Sequence, residues 1–296
     1  MELATYRHCV IGPGRLGSTL LAGLIEANLD VAAVAVHTDD QTDIGTTPPR
    51  IRIHDAAAEA DLFWLTVPDD AIFGVAGRLA TALAGVPRPG RPGRDPVAVH
   101  TSELGSVGLL KPLTDQGVRC LSLHPLQTFA GTPDPDLLHG TPCAVTALEE
   151  RDRQLGEALA ERLSMRPFRL ADESKPLYHL AAVVGCNLLV ALESEAKRLM
   201  DQATGESNGI DHLGSLLQTT LTNLTRSGEP SEALTGPIAR GDVGTVRAHL
   251  RLCRQERPRL AAAYRALSLE ALTLAAPRLD DERVHALQHL LEEYER

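Results

Sequence analysis

The chain has 296 residues, 43% of them apolar and 3% aromatic, and its 29 Lys and Arg stand against 39 Asp and Glu for a formal net charge of −10. This is enough apolar content for packed cores and about two domains of length. The acidic balance argues against a broad nucleic-acid or anionic-lipid face, and the scarcity of aromatics argues against stacking platforms for single strands.

Cys9, Cys120, Cys143, Cys186 and Cys253 are scattered and form no CxxC pair, so they read as reduced, mostly buried thiols rather than a zinc, haem or redox motif. The apolar run 181–192 is too short to span a bilayer, and Arg15 breaks the N-terminal apolar segment before a secretory core forms. A cytoplasmic protein with neither nucleic acid nor membrane as partner is expected.

In chain order, residues 7–12 form an apolar strand, the turn GPGRLG follows at 12–17, residues 18–27 continue as a helix, and 31–36 are a second β-branched strand. In such a βαβ unit Gly12 permits the tight turn, Gly14 lets a pyrophosphate approach the backbone and Gly17 permits close helix–strand packing. Gly12, Pro13, Gly14, Arg15, Leu16 and Gly17 are therefore the candidate dinucleotide cradle. The end of the second strand distinguishes NAD from NADP. It carries His37 and Thr38, with Asp39 and Asp40 late and Arg50 and Arg52 only after a loop. Thr38 with Arg15 tilts towards NADP; NAD stays open, as does the reading of these positions as solvated loop.

Residues 61–68 are the next buried strand, followed by a helix through 83, an Arg/Pro/Gly surface loop at 87–96, a strand at 97–100, and a strand at 119–123 running into HPLQTF. Ligands of open α/β sheets lie beyond the C-terminal strand ends, so 66–69, 100–103 and 124–128 border one crevice. Val67, Pro68 and Thr101 are placed beside the cofactor, Ser102 beside the reacting carbonyl, and His124 and Gln127 beside the substrate.

After a last strand at 143–146 come a helix at 148–163, an extended link at 167–170 and helices beyond Pro176. The class changes near 165, giving an α/β Rossmann domain with a mostly parallel sheet over 1–165 and an all-α domain over 166–296. Leu177, Leu180, Ala181, Val184, Leu188, Leu192 and Leu199 recur at helical spacing, which predicts a long helix packing that face into a core. On it His179, Val183 and Asn187 fall at i, i+4 and i+8, about 12 Å end to end, with Lys175 one turn earlier. Such an edge could protonate and orient a carbonyl over a nicotinamide. The plain alternatives are a satisfied core histidine, a helix–helix hydrogen bond and a helix-start surface lysine. Arg240, in the turn ALTGPIARGD, either clamps a carboxylate or pairs with Asp242. His285 and His289 lie one turn apart with nothing to complete a metal site, so no metal is expected.

GPGRLG, ADLFWLTVPDDAI, HTS at 100–102, LHPLQTF at 123–129, YHLAAVVGCNLLVAL at 178–192 and LTGPIARGD at 234–242 resemble the Rossmann-like plus DUF2520 family. That family lies within the 6-phosphogluconate-dehydrogenase-like group, with ketopantoate reductases, pyrroline-5-carboxylate reductases and F420-dependent NADP reductases. The resemblance implies a Rossmann domain followed by an all-α domain that builds a homodimer. It also implies a catalytic lysine followed one turn later by an asparagine. Lys175 matches the lysine, His179 stands where the asparagine would be, and Asn187 lies two turns beyond His179. Glu103 replaces the glycine usual after the HTS serine.

The resulting expectation is an NAD(P)-dependent reductase of the C=O of a small carboxylic acid. His179 or Lys175 would give the proton, Asn187 and Ser102 would orient the carbonyl, and Arg240 would hold the anionic substrate. An imine reductase of the pyrroline-5-carboxylate kind and a non-catalytic dinucleotide sensor remain the alternatives.

Overall fold

The computed structural model describes residues 6–36, 48–85 and 95–293, which fall into two compact units, 1–185 and 186–296. The first unit runs β1 (Arg7–Ile11), α1 (Arg15–Glu26), β2 (Asp30–Val36), β3 (Arg50–Arg52), α2 (Ile53–Glu59), β4 (Leu62–Leu65), α3 (Asp69–Gly85) and β5 (Val97–His100). It continues with α4 (Lys111–Thr114), β6 (Arg119–Pro125), β7 (Pro142–Ala147), α5 (Glu150–Arg162), β8 (Arg166–Arg169) and α6 (Lys175–Ala182). One eight-stranded sheet has the order β3-β2-β1-β4-β5-β6-β7-β8, parallel throughout except between β6 and β7.

The central strands are apolar on both faces, as a sheet covered on both sides requires. Because side chains alternate, Val10, Leu62, Trp64, Val99, Leu121 and Leu123 pack on one face with Leu20 and Leu24 of α1 and Leu155 and Leu159 of α5. Their neighbours Cys9, Ile11, Phe63, Leu65, Ala98 and Cys120 pack on the other face with Ala56 of α2 and Ile72, Val75 and Leu79 of α3. One polar pair sits inside: Trp64 Nε1 donates to His8 Nδ1 at 3.1 Å. Burial pushes His8 down to about 4, which leaves its ring neutral and able to accept.

Both sheet edges depart from expectation. Residues 50–52, expected only as a stretch after a loop, form β3 beside β2, and 167–170, expected as a link, contributes β8 beside β7. The segment 143–146 is therefore not the last strand. Neither edge strand contains a fully buried residue, so neither carries the apolar run by which the inner strands announce themselves. Pro167 is suited to an edge, where a missing N–H breaks no ladder.

The predicted long helix is also interrupted. After α6 a turn of π-helix spans Val183–Asn187, and α7 (Leu188–Thr204) follows. The helical run Asp172–Thr204, 33 residues with a window of mean hydropathy 1.5, is the one helix among the described residues long and apolar enough to cross a membrane. Among the described residues its expected core face stays exposed: Leu177, Leu180, Val184 and Leu188 are 73%, 55%, 54% and 55% exposed.

In the second unit α7 is followed by α8 (Gly209–Ser227), α9 (Pro230–Ala233), α10 (Pro237–Arg240), α11 (Val243–Glu256), α12 (Pro258–Ala275) and α13 (Asp281–Glu293). Ile238, Val246, Leu250, Leu272, Ala275, Leu287 and Leu291 make its core, drawn from α10 to α13. All five cysteines are free, and all but Cys186 are buried.

The start of β6 is tied to the first turn of α5 by Arg119 Nε, 2.6 Å from Asp152 Oδ1, with the two side chains 13% and 7% exposed. Replacing Arg119 by Met leaves the buried carboxylate with only the longer contact to Arg151 Nε at 3.8 Å. The expected loss is about 3 kcal/mol of unfolding free energy, read from urea denaturation midpoints.

Candidate active site

At the end of β1, Gly12 adopts φ +94, and its N–H donates to Ala35 of β2 at 3.1 Å. The Thr66 hydroxyl, beyond β4, reaches the Gly12 carbonyl at 2.7 Å and so ties two strand ends to one turn. A Cβ on Gly12 would strike Val67, and one on Gly17 would lie 2.3 Å from the Gly12 carbonyl oxygen, so both positions need glycine. Ser18 Oγ donates to Pro13 O, and Leu16 packs against the core.

Gly14 differs from both. It has φ −70, which any residue adopts, and nothing lies within 4 Å of where its Cβ would be. It is the N-cap of α1, where no side chain caps the helix and the first turn carries no acidic residue. Uncapped amides, the positive dipole end and open space above Gly14 make a cradle for a phosphate-bearing ligand. Exposed Arg15 adds a positive charge, and Pro68 is exposed at the end of β4. His37 and Thr38 lie outside the described residues.

Two strands further along the sheet, the turn after β5 is organised by Lys175, the first residue of α6, which is 1% exposed. Its ammonium donates to Ser102 O at 3.0 Å, Gly105 O at 2.5 Å and Ser122 Oγ at 2.9 Å. All three N–H groups are thus engaged by neutral acceptors of the strand ends. Lys175 is neither a helix-start surface residue nor, in this arrangement, a group with a proton aimed at a substrate. Ser102 is similarly engaged: its hydroxyl donates to Asp69 at 2.5 Å and accepts from Gly105 N at 2.7 Å. The Ser102 N–H donates to His100 Nδ1 at 3.2 Å. Thr101 is buried in the same turn. Burial first, then the Lys175 charge, pushes His100 down to about 3 and His124 down to about 4.

Beside this turn four polar side chains form a line. Tyr178 Oη lies 2.7 Å from His124 Nδ1, His124 Nε2 lies 3.5 Å from Glu103 Oε2, and Glu103 Oε1 lies 3.0 Å from His179 Nδ1. The His179 Nδ1 atom is buried, and its approach to Glu103 is off the hydrogen-bonding angle. Burial raises the Tyr178 hydroxyl well above its ordinary range, so Tyr178 keeps its proton and can donate it to His124.

Lys175, Ser102, His124 and His179 are therefore gathered at the ends of β5 and β6. Gln127, placed in sequence beside the substrate, turns its Oε1 back to the backbone N–H of Thr128 at 2.8 Å. Asn187 is exposed and belongs to the second unit. The expected i, i+4, i+8 stripe fails because it crosses the π turn, where the 3.6-residue repeat is broken. Arg240 is exposed at the end of α10, also in the second unit, while Asp242 accepts from Thr245 N at 3.0 Å and caps α11.

Glu103, Asp69, Ser122 and Tyr178 were not singled out as site residues from sequence. Glu103 left a signal as an acidic residue where the resembling family carries glycine, and Asp69 as part of the strand end 66–69 placed at the crevice. Among the described residues no three His, Cys, Asp or Glu side chains gather to hold a metal.

Sheet order, glycine cradle and helical C-terminal region define a Rossmann-type α/β domain followed by an all-α region. Residues 2–125 match the Rossmann-like domain family and residues 141–271 match the domain of unknown function DUF2520, so the chain carries a Rossmann-like domain followed by a DUF2520 domain. No curated protein matches it in sequence. Among solved structures it is similar to a Bacteroides fragilis protein provisionally assigned as an NADP oxidoreductase, with 21% identity, TM-score 0.67 and coverage of 92% of this chain and 100% of that one. A Thermotoga maritima protein is similar at 21% identity and TM-score 0.68, covering 92% and 99%. Plasmodium falciparum pyrroline carboxylate reductase with NADP bound is similar at 12% identity and TM-score 0.56, covering 92% and 99%. These likenesses establish a shared fold.

Burial pushes the Lys175 ammonium from 10.5 down to about 8, partly opposed by Asp172 and Asp69. Between these two values the unfolded chain binds more protons than the folded one, so stability rises with pH there; below pH 8 both states are protonated and the burial cost is constant. The unfolding free energy of the wild type minus that of Lys175→Met is expected to rise by about 3 kcal/mol across this window. Urea titrations at stepped pH check it.

Proposed function

We propose that the protein is an NAD(P)-dependent reductase that converts the C=O of a small carboxylic acid to an alcohol. The observation that carries this reading is the open, uncapped cradle over Gly14, built on the same sheet as the acid–base line that ends at His179. The residues present fit a dinucleotide: Gly12 and Gly17 shape the turn, the α1 amides and Arg15 receive the pyrophosphate, and Val67 and Pro68 border the β4 end. NADP is the preferred form, with NAD the alternative. When bound in its reduced form the dinucleotide supplies the hydride.

The remaining chemistry belongs to the chain. His179, half-buried on α6, protonates the carbonyl oxygen. Lys175 acts by fixing the 102–105 turn rather than by giving a proton, since its three N–H groups are occupied. Ser102, held between Asp69 and Gly105, sets the shape of that turn, and His124 stays neutral beside His179. The protein works as a homodimer through its helical region: α7 has no buried residue and α8 buries only Gly209, while Leu188, Val190, Leu216 and Leu221 stand exposed.

One observation favours a second reading, reduction of a C=N bond: the fold is shared with pyrroline carboxylate reductase. An imine that arrives protonated has little need of His179. His179→Asn is expected to lower kcat on the best 2-oxo acid on the order of 100-fold, and a change under about threefold on a cyclic imine would favour the second reading instead.

The cofactor itself is tested by titrating NADPH and NADH separately, following energy transfer from Trp64, the sole tryptophan, with calorimetry alongside. Gly14→Ala is expected to leave the melting temperature unchanged and to weaken NADPH binding at least about tenfold, because its methyl group enters space that is open only for the ligand. Absence of binding by either dinucleotide to the wild type defeats the reductase reading.

A further inference from the structure

The line Tyr178, His124, Glu103, His179 has a direction that follows from which atoms carry protons. His124 is neutral, so only one ring nitrogen bears hydrogen. Its Nε2 faces a carboxylate oxygen, which can only accept, and its Nδ1 faces the Tyr178 hydroxyl, which retains its proton. The consistent arrangement is Tyr178 O–H donating to His124 Nδ1 and His124 N–H directed at Glu103 Oε2. The other carboxylate oxygen, Oε1, is then left to His179 Nδ1, 3.0 Å away.

We infer that Glu103 is a positioning residue that holds His179 as its Nδ1–H tautomer and thereby presents Nε2 to the substrate. Three features of the surroundings single out Glu103. His179 Nδ1 is buried without a well-aligned partner, and Glu103 Oε1 is the acceptor beside it. The Lys175 ammonium, one turn earlier on α6, is turned into the 102–105 turn and has no N–H left to give. Asp69 is occupied by the Ser102 hydroxyl. The charged and titratable groups at this corner are Glu103, His124, Tyr178, Lys175 and Asp69, with His100, Asp172 and Cys143 beyond them, and Glu103 is the one seen within hydrogen-bonding distance of His179.

The inference rests on the reductase reading for its chemistry. With both ring nitrogens protonated, Nδ1–H is directed at Glu103 and Nε2–H is the proton given. As a C–H bond forms at the carbonyl carbon from the incoming hydride, the C=O π pair moves to oxygen and takes the Nε2 proton. The product is an alcohol, and His179 is left neutral with hydrogen on Nδ1, the tautomer Glu103 stabilises. Solvent returns the Nε2 proton. A carboxylate oxygen beside Nδ1 fixes the orientation of the ring.

The tautomer can be read without cofactor or substrate. In protein labelled with 15N-histidine, the His179 ring signals are identified as those lost in His179→Asn. Above neutral pH they are expected to show Nδ1 protonated and Nε2 bare. In Glu103→Ala the proton is expected on Nε2, the form preferred by a free imidazole. Glu103→Gln, whose amide oxygen can still accept, is expected to retain the Nδ1–H form. Glu103→Ala is expected to lose kcat on the order of 100-fold, and Glu103→Gln, which keeps the tautomer, less than about tenfold, with KM and NADPH affinity of both within about twofold of wild type. The same His179 tautomer in wild type and Glu103→Ala, an unchanged kcat in Glu103→Ala, or equal losses of kcat in Glu103→Ala and Glu103→Gln overturns the inference. Failure of NADPH to bind the wild type defeats the reductase reading separately, since the nitrogen signals of the free protein stand apart from it.

Discussion

A single buried ammonium holds the far end of the sheet in order. Lys175 gives its three protons to two carbonyls of the turn after β5 and to a hydroxyl on β6, and it does so at 1% exposure. Burying a charge among neutral acceptors is costly unless every hydrogen bond is made, and here every one is. Ser102 and Gly105, whose carbonyls Lys175 holds, are also joined by the serine hydroxyl, which reaches on to Asp69 at the start of α3. The turn is therefore fixed from α3, α6 and β6 at once. A loop that must present its side chains within a fraction of an ångström gains that precision only from such multiple restraint.

The cradle and the acid–base line share the sheet but obey different physics. The cradle is made of backbone: two glycines that tolerate no side chain, one that leaves room for a ligand, and a helix end with its amides uncapped. It sits at β1, where the chain order of strands reverses between β1 and β4, the usual place for a ligand in an open α/β sheet. The acid–base line is made of side chains and depends on burial to set proton affinity. Parallel strands bring the two to the same sheet edge because every strand from β1 to β6 ends in the same direction.

Backbone chemistry was legible in the sequence and side-chain geometry was not. GPGRLG between two apolar runs specifies strand, turn and helix because Gly12 and Gly17 stand where no side chain fits. Inner strands were equally plain, since burial on both faces demands continuous apolar residues. The edge strands β3 and β8 escaped because an edge buries little, and RIR or RPFR reads as loop. The helix beginning at Lys175 was misread in another way: spacing of 3.6 residues reveals an apolar face but not whether this chain covers it, and one π turn is enough to void the alignment of His179 with Asn187. Lys175 is one of three lysines in the chain, with Lys111 and Lys197. Its partners are contributed by residues about 50 to 70 positions away in the chain, which no local pattern records.

Three histidines at these strand ends show how one residue type is given different tasks by its surroundings. His100 and His124 are both pushed down by burial and by the Lys175 charge, so they remain neutral and serve as fixed hydrogen-bond partners. His179 differs on both counts: its side chain is 30% exposed, and its nearest charged neighbour is the Glu103 carboxylate. A positive charge is thus buried beneath two histidines, and a negative charge is set beside the third. The lysine thus contributes to the chemistry without touching a substrate. It stabilises the turn that carries Glu103 and suppresses protonation of His124, leaving His179 as the histidine of this corner whose charged form has an anionic neighbour.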